Sequence, residues 1–294
     1  MFYRRKVILA LLEIFDGKLE KIRLQKLLFL FSQRQSKAEY DFIPYKYGCY
    51  SYSAAADLTT MAAKGLIRDE TDTVTKVDNC HYVIHLKEAD KSHLLAVKAL
   101  YGGLDGNALM KHTYRNYPYF AINSLKAKDL LSTEEINKVS NARPVVSNTI
   151  LYTIGYEGIS LEEYINRLIK NGVQVLVDVR KNPLSMKYGF SKSLLKRFCE
   201  NVGIQYVHFP EVGIESDQRQ ELNSQKDYDD LFKRYKTTNL VKTTPTQSAI
   251  FNILKSNKRI ALTCFEANIC QCHRKPLAEA IAALPGFSFQ IKHI

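Results

Sequence analysis

The chain has 294 residues, of which 46% are hydrophobic and 24% charged, enough for two domains that each bury a core. With 13 Gly and 8 Pro it is neither low-complexity nor collagen-like. Its 42 Lys and Arg against 30 Asp and Glu leave a net charge of +12, divided evenly on either side of Ser147, which favours polyanionic partners over a basic tail.

Apolar stretches such as residues 6–15 and 24–31 are interrupted by charge well before the roughly 20 residues a membrane span needs, so no membrane partner is expected. Arg4, Arg5 and Lys6 precede an apolar run, but Glu13 and Asp16 follow with no small-residue cleavage site. No signal peptide is expected, and the expected location is cytoplasmic. Six Cys, three of them crowded at Cys264, Cys270 and Cys272, do not resemble a disulfide framework, so reduced thiols are expected.

In the first half, Val7, Leu11, Leu12 and Phe15, then Ile22, Leu24, Leu27, Leu28 and Phe31, recur at helical spacing. Residues 41–50 read as an extended linker rich in aromatics. A helix over residues 51–64 should end at Gly65, and an extended pair should join residues 66–67 to 81–86 across polar residues 69–75. Three helices and a small hairpin outline a winged helix. Further helices are expected over residues 90–101, 105–115 and 132–139.

Residues 141–148 (NARPVVSN) are the expected linker between a winged-helix-like helical domain at 1–145 and a Rossmann-like α/β domain at 149–294. Beyond it, strands are expected at 150–154, 173–179, 204–209, 259–264 and 287–293. Helices at 191–201, 227–236, 246–256 and 276–284, and one opened by Ser160 with Glu163 as a capping pair, alternate with them. Such alternation implies a mostly parallel sheet with helices on both faces and a ligand at the strand C-termini.

Three clusters fall at those strand ends. Gly155 and Tyr156 lie in a strand-to-helix turn whose N–H groups could receive an anion, or which is merely tight. Asp178, Arg180 and Lys181, with Pro183 and Ser185 just beyond, either hold one another or meet a negatively charged ligand. Cys264 and Glu266, then Cys272, His273 and Arg274 ahead of a helix, bring a nucleophile, acid/base groups and an anion-binding group into one loop. In this reading Glu266 and His273 transfer protons, Arg180 and Arg274 bind the anion, Asp178 orients Arg180 or a sugar hydroxyl, Cys272 shapes the site and Cys264 is the nucleophile. The alternative is a buried, inert Cys264 beside an ion-pair network running from Asp178 to Arg274. A metal is not expected, because Cys270, Cys272 and His273 crowd closer than zinc ligands usually do.

Residues 153–294 resemble the bacterial and archaeal family called domain of unknown function 488. The stretches that carry the resemblance are TIGYEG with SLEEYI, LVDVRKNPLS, FSKSLL with GIQYVHFPEVG, CFEANICQCHR and the terminal KHI. The resemblance implies a Rossmann-like fold and a pocket lined by Asp178, Arg180, Pro183, Ser185, Glu266, Cys272, His273 and Arg274. The chain departs from it at Gly213, which Ile214 follows where a second Gly is usual. RLQKLLFLF, YDFIPYKYGCYS and KGLI in the first half are similar to winged-helix domains of microbial regulatory and antitoxin-associated proteins, but the helix at 51–64 offers only Lys64 as a cation.

Three functions are therefore weighed. The first is a nucleic-acid-associated protein whose α/β domain binds, and hydrolyses or modifies, a nucleotide or nucleic-acid substrate. The second is a rhodanese- or phosphatase-like enzyme using Cys264, and the third a non-enzymatic ligand-sensing regulator. The N-terminal domain is a candidate surface for a protein partner or homo-oligomer. The sequence names no cofactor and leaves open whether turnover occurs.

Overall fold

A computed structural model describes residues 1–215, 218 and 222–294. By its contacts the chain divides into two units, Met1–Arg143 and Pro144–Ile294. Among the described residues no helix is long and apolar enough to cross a membrane.

In the N-terminal unit α1 (Tyr3–Ile14), β1 (Lys18–Glu20), α2 (Lys21–Ser32), β2 (Ile43–Tyr45), β3 (Gly48–Tyr50) and α3 (Tyr52–Ala63) come first. They are followed by β4 (Ile67–Asp69), β5 (Thr73–Lys76), α4 (Glu88–Tyr101), α5 (Gly106–Asn116), α6 (Ala127–Leu130) and α7 (Thr133–Asn141). Six consecutive residues of α1, Val7 to Leu12, and nine of α2, Leu24 to Ser32, are buried, so both helices are enclosed around most of their circumference and form the centre of the core. Asp57 of α3 is buried and ties that helix to α1 through Arg4 and Arg5, each at 2.6 Å.

Two local expectations are corrected here. Residues 41–50 are not merely extended, because β2 and β3 pair as an antiparallel hairpin. The partner of β4 is β5, not residues 81–86, and β5 also pairs with β1 to complete a three-stranded antiparallel sheet. Val83–His85 forms a 3₁₀ turn that leaves Ile84 exposed while Tyr82 and Leu86 pack inward. The middle strand is fixed by hydrogen bonds on both edges, so it needs only Val74 as an apolar anchor.

The C-terminal unit runs β6 (Ile150–Gly155), α8 (Leu161–Lys170), β7 (Val175–Asp178), α9 (Lys192–Glu200), β8 (Gln205–His208), α10 (Gln225–Thr237), α11 (Asn239–Lys242), α12 (Thr244–Asn257), β9 (Arg259–Cys264), α13 (Arg274–Ala282) and β10 (Gln290–His293). Its five strands are all parallel, in the order β10-β6-β9-β7-β8, which is the α/β class expected. The last strand begins at Gln290 rather than Phe287, because Phe287 and Phe289 turn onto Phe251 of α12 instead of joining the sheet.

The chain leaves β6 toward β7 on one side and leaves β9 toward β10 on the other. The adjacent ends of β6 and β9 are therefore the topological switch point, where parallel sheets bind ligands. Side chains alternate across the sheet. Val175, Val177, Ile260 and Leu262 pack with α12 and α13, whereas Thr263 receives a hydrogen bond from Tyr164 of α8 on the opposite face.

Candidate functional site

That alternation decides where each candidate residue goes. Asp178 shares a face with Thr263, and Cys264 shares a face with Leu262, so the two groups meet at one sheet edge from opposite sides.

On the first side Asp178 is fully buried and its carboxylate is surrounded by donors. Arg180 donates from Nε at 2.9 Å and Nη2 at 2.5 Å, and Tyr206 donates its hydroxyl at 2.6 Å. Nη1 of the same guanidinium donates to the Tyr156 hydroxyl at 2.9 Å and to the Phe190 carbonyl at 2.7 Å. Burial works against the charge of Arg180, but the Asp178 carboxylate outweighs it and holds the guanidinium firmly protonated. The Tyr156 ring stacks on Phe190 at 4.2 Å. Asp178 thus pairs with Arg180 and not with Arg274, and Arg180 has most of its donors committed within the protein. Lys181 is ion-paired to Glu215 at 2.7 Å.

On the second side Cys264 ends its strand with the thiol 3.7 Å from Nδ1 of His273. The far nitrogen, Nε2, donates to the Val179 carbonyl at 3.0 Å. That contact assigns the ring proton to Nε2 and leaves Nδ1 to accept from the thiol. Arg274, fully buried, donates from Nη2 to the Glu266 carbonyl at 2.5 Å and from Nε to the Cys272 sulfur at 3.0 Å. Burial pushes the Cys272 thiol well above its ordinary range, and the neighbouring Cys264 adds to this, so Cys272 stays protonated.

Gly155 joins the two sides. A Cβ there would sit 2.0 Å from the Glu266 carbonyl oxygen and 3.0 Å from Arg274, so only glycine admits the loop. The amides of Tyr156 and Glu157 then donate to the Phe265 carbonyl and stitch the turn to that loop. Gly213 does the same for the Lys181 backbone, whose amide nitrogen would lie 2.3 Å from an added Cβ. Ile214 beside it is buried and lines the cavity, so the departure from a Gly-Gly pair leaves the close approach intact.

A cavity of about 300 Å³ opens at this edge, lined by Tyr156, Arg180, Lys181, Asn182, Leu184, Ser185, Ile214, Cys264 and Phe265. Of the candidates, Tyr156, Arg180, Lys181, Ser185 and Cys264 line it. Gly155, Asp178, Cys272, His273 and Arg274 stand behind that wall and hold it in place, while Pro183 and Glu266 are half-buried nearby. Sequence reasoning missed Tyr206, which caps the Asp178 carboxylate, and Phe190, which carries the Tyr156 ring. It also missed His208, whose Nε2 donates to the Arg180 carbonyl at 2.8 Å. Tyr206 and His208 alternate along β8 in register with Leu176 and Asp178, which is the signal that could have found them.

The sulfurs of Cys264 and Cys272 and a ring nitrogen of His273 lie within 4.8 Å of one another, a donor set that suits a soft metal. Cys270, counted with them in the sequence, is exposed and outside the cluster. The guanidinium lying against the Cys272 sulfur works against a dication there.

Residues 160–281 match the model of the family described as domain of unknown function DUF488. The match runs from the Ser160 cap of α8 into α13, so it contains Asp178, Arg180 and the whole segment from Cys264 to Arg274. The resemblance in the C-terminal half therefore stands. No curated protein matches the chain.

Proposed function

We propose that the C-terminal unit is a cysteine-dependent sulfur-transfer enzyme, in which Cys264 is the nucleophile and His273 the base. The observation that carries this reading is the Cys264 thiol facing Nδ1 of His273 at the wall of the small cavity, with the ring anchored from behind by Val179. Nucleophile, base and orienting group in that order are the arrangement that activates a thiol.

One feature favours sulfur over phosphoryl transfer. A phosphate cradle is built from the amides of the loop after the cysteine, and three of these are already committed, Ala267 to Glu157, Cys270 to Asn268 and Cys272 to the Ile269 carbonyl. In the proposed step the thiolate attacks the sulfane sulfur of a donor such as thiosulfate, sulfite leaves with the bonding electrons, and a Cys264 persulfide remains. A nucleophilic acceptor then removes the outer sulfur. Incubation with thiosulfate followed by intact-mass measurement should show one added sulfur, placed by peptide mapping on Cys264, and cyanide should release it as thiocyanate. Absence of the adduct, or an equal yield from Cys264→Ser, would overturn the assignment.

A second reading, nucleic-acid association, concerns the N-terminal unit. It is supported by this half's share of the net charge of +12 and by an element order of helices with a three-stranded antiparallel sheet that suits a winged helix. Because α3 presents small side chains, contacts would fall on phosphates rather than base edges. Affinity for duplex DNA or RNA should then fall steeply as salt rises, and binding that ignores salt or sequence-selective binding would contradict it.

A further inference from the structure

The N-terminal unit contains a second cavity, of about 760 Å³, that the reading above does not use. It lies between α2, the β2–β3 hairpin and α3, and at its wall sits Lys26, a lysine only 2% exposed. The Lys26 Nζ donates to the Cys49 carbonyl at 2.8 Å. Among the described residues no carboxylate pairs with it, and the one titratable group that acts on it is the Cys49 thiol.

A purely structural role does not require a cation at this position. The preceding residue, Gln25, already clamps the same stretch of chain with a neutral amide, accepting from the Ser51 amide at 2.9 Å and donating to its carbonyl at 3.3 Å. An ammonium has three donors and a full charge. One carbonyl and a weakly polar thiol leave that charge uncompensated, and a buried charge is ordinarily paired.

The rest of the lining indicates what would pair with it. Tyr45 and Tyr50 contribute a tilted aromatic pair with centroids 5.2 Å apart, and half-exposed Tyr47 stands at the rim. Glu20, Asp69 and Asp72 also line the cavity, with Lys21 bound to Asp69 at 2.8 Å. Lys46 lines it too, so three acids face three lysines and the lining has no surplus positive charge to hold a polyphosphate or a nucleic-acid strand, while a single negative charge can be seated on Lys26.

We propose that this cavity binds a small aromatic carboxylate, its single negative charge paired with Lys26 and its ring against Tyr45 and Tyr50. The proposal is independent of the sulfur-transfer reading, since it uses no residue of the C-terminal unit.

The test is saturation-transfer NMR and calorimetry on the full chain, with benzoate as probe and inorganic phosphate and ATP as comparators. Benzoate should bind, and Lys26→Met, checked for folding by circular dichroism, should weaken it roughly tenfold or more. Tyr47→Ala, at the exposed rim where folding is not at stake, should also weaken it and serves if the Lys26 variant does not fold. Absence of benzoate binding, unchanged affinity in either folded variant, or tighter binding of phosphate or ATP than of benzoate would overturn the proposal.

Discussion

The Cys264 thiol and the His273 imidazole, nine positions apart in the chain, meet at 3.7 Å because β9 ends at the thiol and α13 begins just after the ring. Val179, the residue just past the neighbouring strand β7, fixes the ring by accepting from Nε2. His273→Gln preserves much of the volume while removing a base at this position. The rate of persulfide formation from thiosulfate should drop about 100-fold, the usual contribution of a positioned base. Iodoacetamide labelling of Cys264 should slow in parallel. An unchanged rate in a folded variant would show that Cys264 does not depend on His273.

The Asp178–Arg180 pair makes the opposite kind of prediction, since both side chains are buried and satisfied internally. Asp178→Asn leaves a buried guanidinium without its counter-charge and should cost about 3–5 kcal/mol in urea unfolding. Pairing it with Arg180→Met removes the stranded charge, so the double variant should lose clearly less than the two single losses added together. Additive losses would show that the two residues act independently.

Much of this architecture is legible in the sequence because local chemistry fixes it. Ser160 accepts from the Glu163 amide at 3.0 Å, Ser132 and Glu135 form a reciprocal capping box, and β9 occupies the residues its apolar run marks. The parity of residues along β7 and β9 even assigns candidates to faces once the strands are known. Strand order is less legible. Nothing local says that β9 inserts between β6 and β7, yet that insertion sets Gly155 opposite Cys264. The run HYVIHL looks more strand-like than TVTK, but the latter is the strand because β1 and β4 flank it on both edges. Whether Arg180 meets a ligand or a carboxylate likewise depends on Tyr156 and Phe190, which lie 24 residues before it and 10 after it.

Gly155 gives a third test. Its replacement by Ala would put a methyl group within 2.0 Å of a backbone oxygen, which neither chain can yield without moving. The loop carrying Glu266 must shift, which breaks the contact to Arg274 and loosens the start of α13. Gly155→Ala should lower the melting temperature by several degrees and also reduce sulfur loading of Cys264. Retention of both would mean the loop has room that the geometry does not show.

The segment between the two units predicts their separability. Residues 141–148 contain Arg143 and exposed Val145, and the last helix before them ends at Asn141. Brief elastase digestion should cut after exposed Val145 and leave a C-terminal fragment with a cooperative unfolding transition of its own. Resistance of this segment while other loops are cut would show that the chain folds as one unit.

The buried Lys26 yields a prediction in which the direction of the pH effect is the test. Burial lowers the affinity of its amine for a proton below the ordinary value of 10.5, with the nearby Cys49 thiol opposing this only in part. Between the lowered folded value and 10.5 the unfolded chain holds more protons at this site than the folded one, so stability rises with pH across that window. Below it the full cost of burying the charge is present. Lys26→Met removes the titrating group, so subtracting its unfolding free energy from that of the unmodified protein cancels the other titrations. The difference should move in favour of the unmodified protein as pH rises from neutrality toward 10.5. Adding benzoate at neutral pH should move it the same way, because a bound carboxylate compensates the charge that high pH would remove. A difference that is flat with pH, or that moves the other way, would mean the Lys26 charge is already balanced in the folded protein and would leave the cavity without its reason to bind an anion.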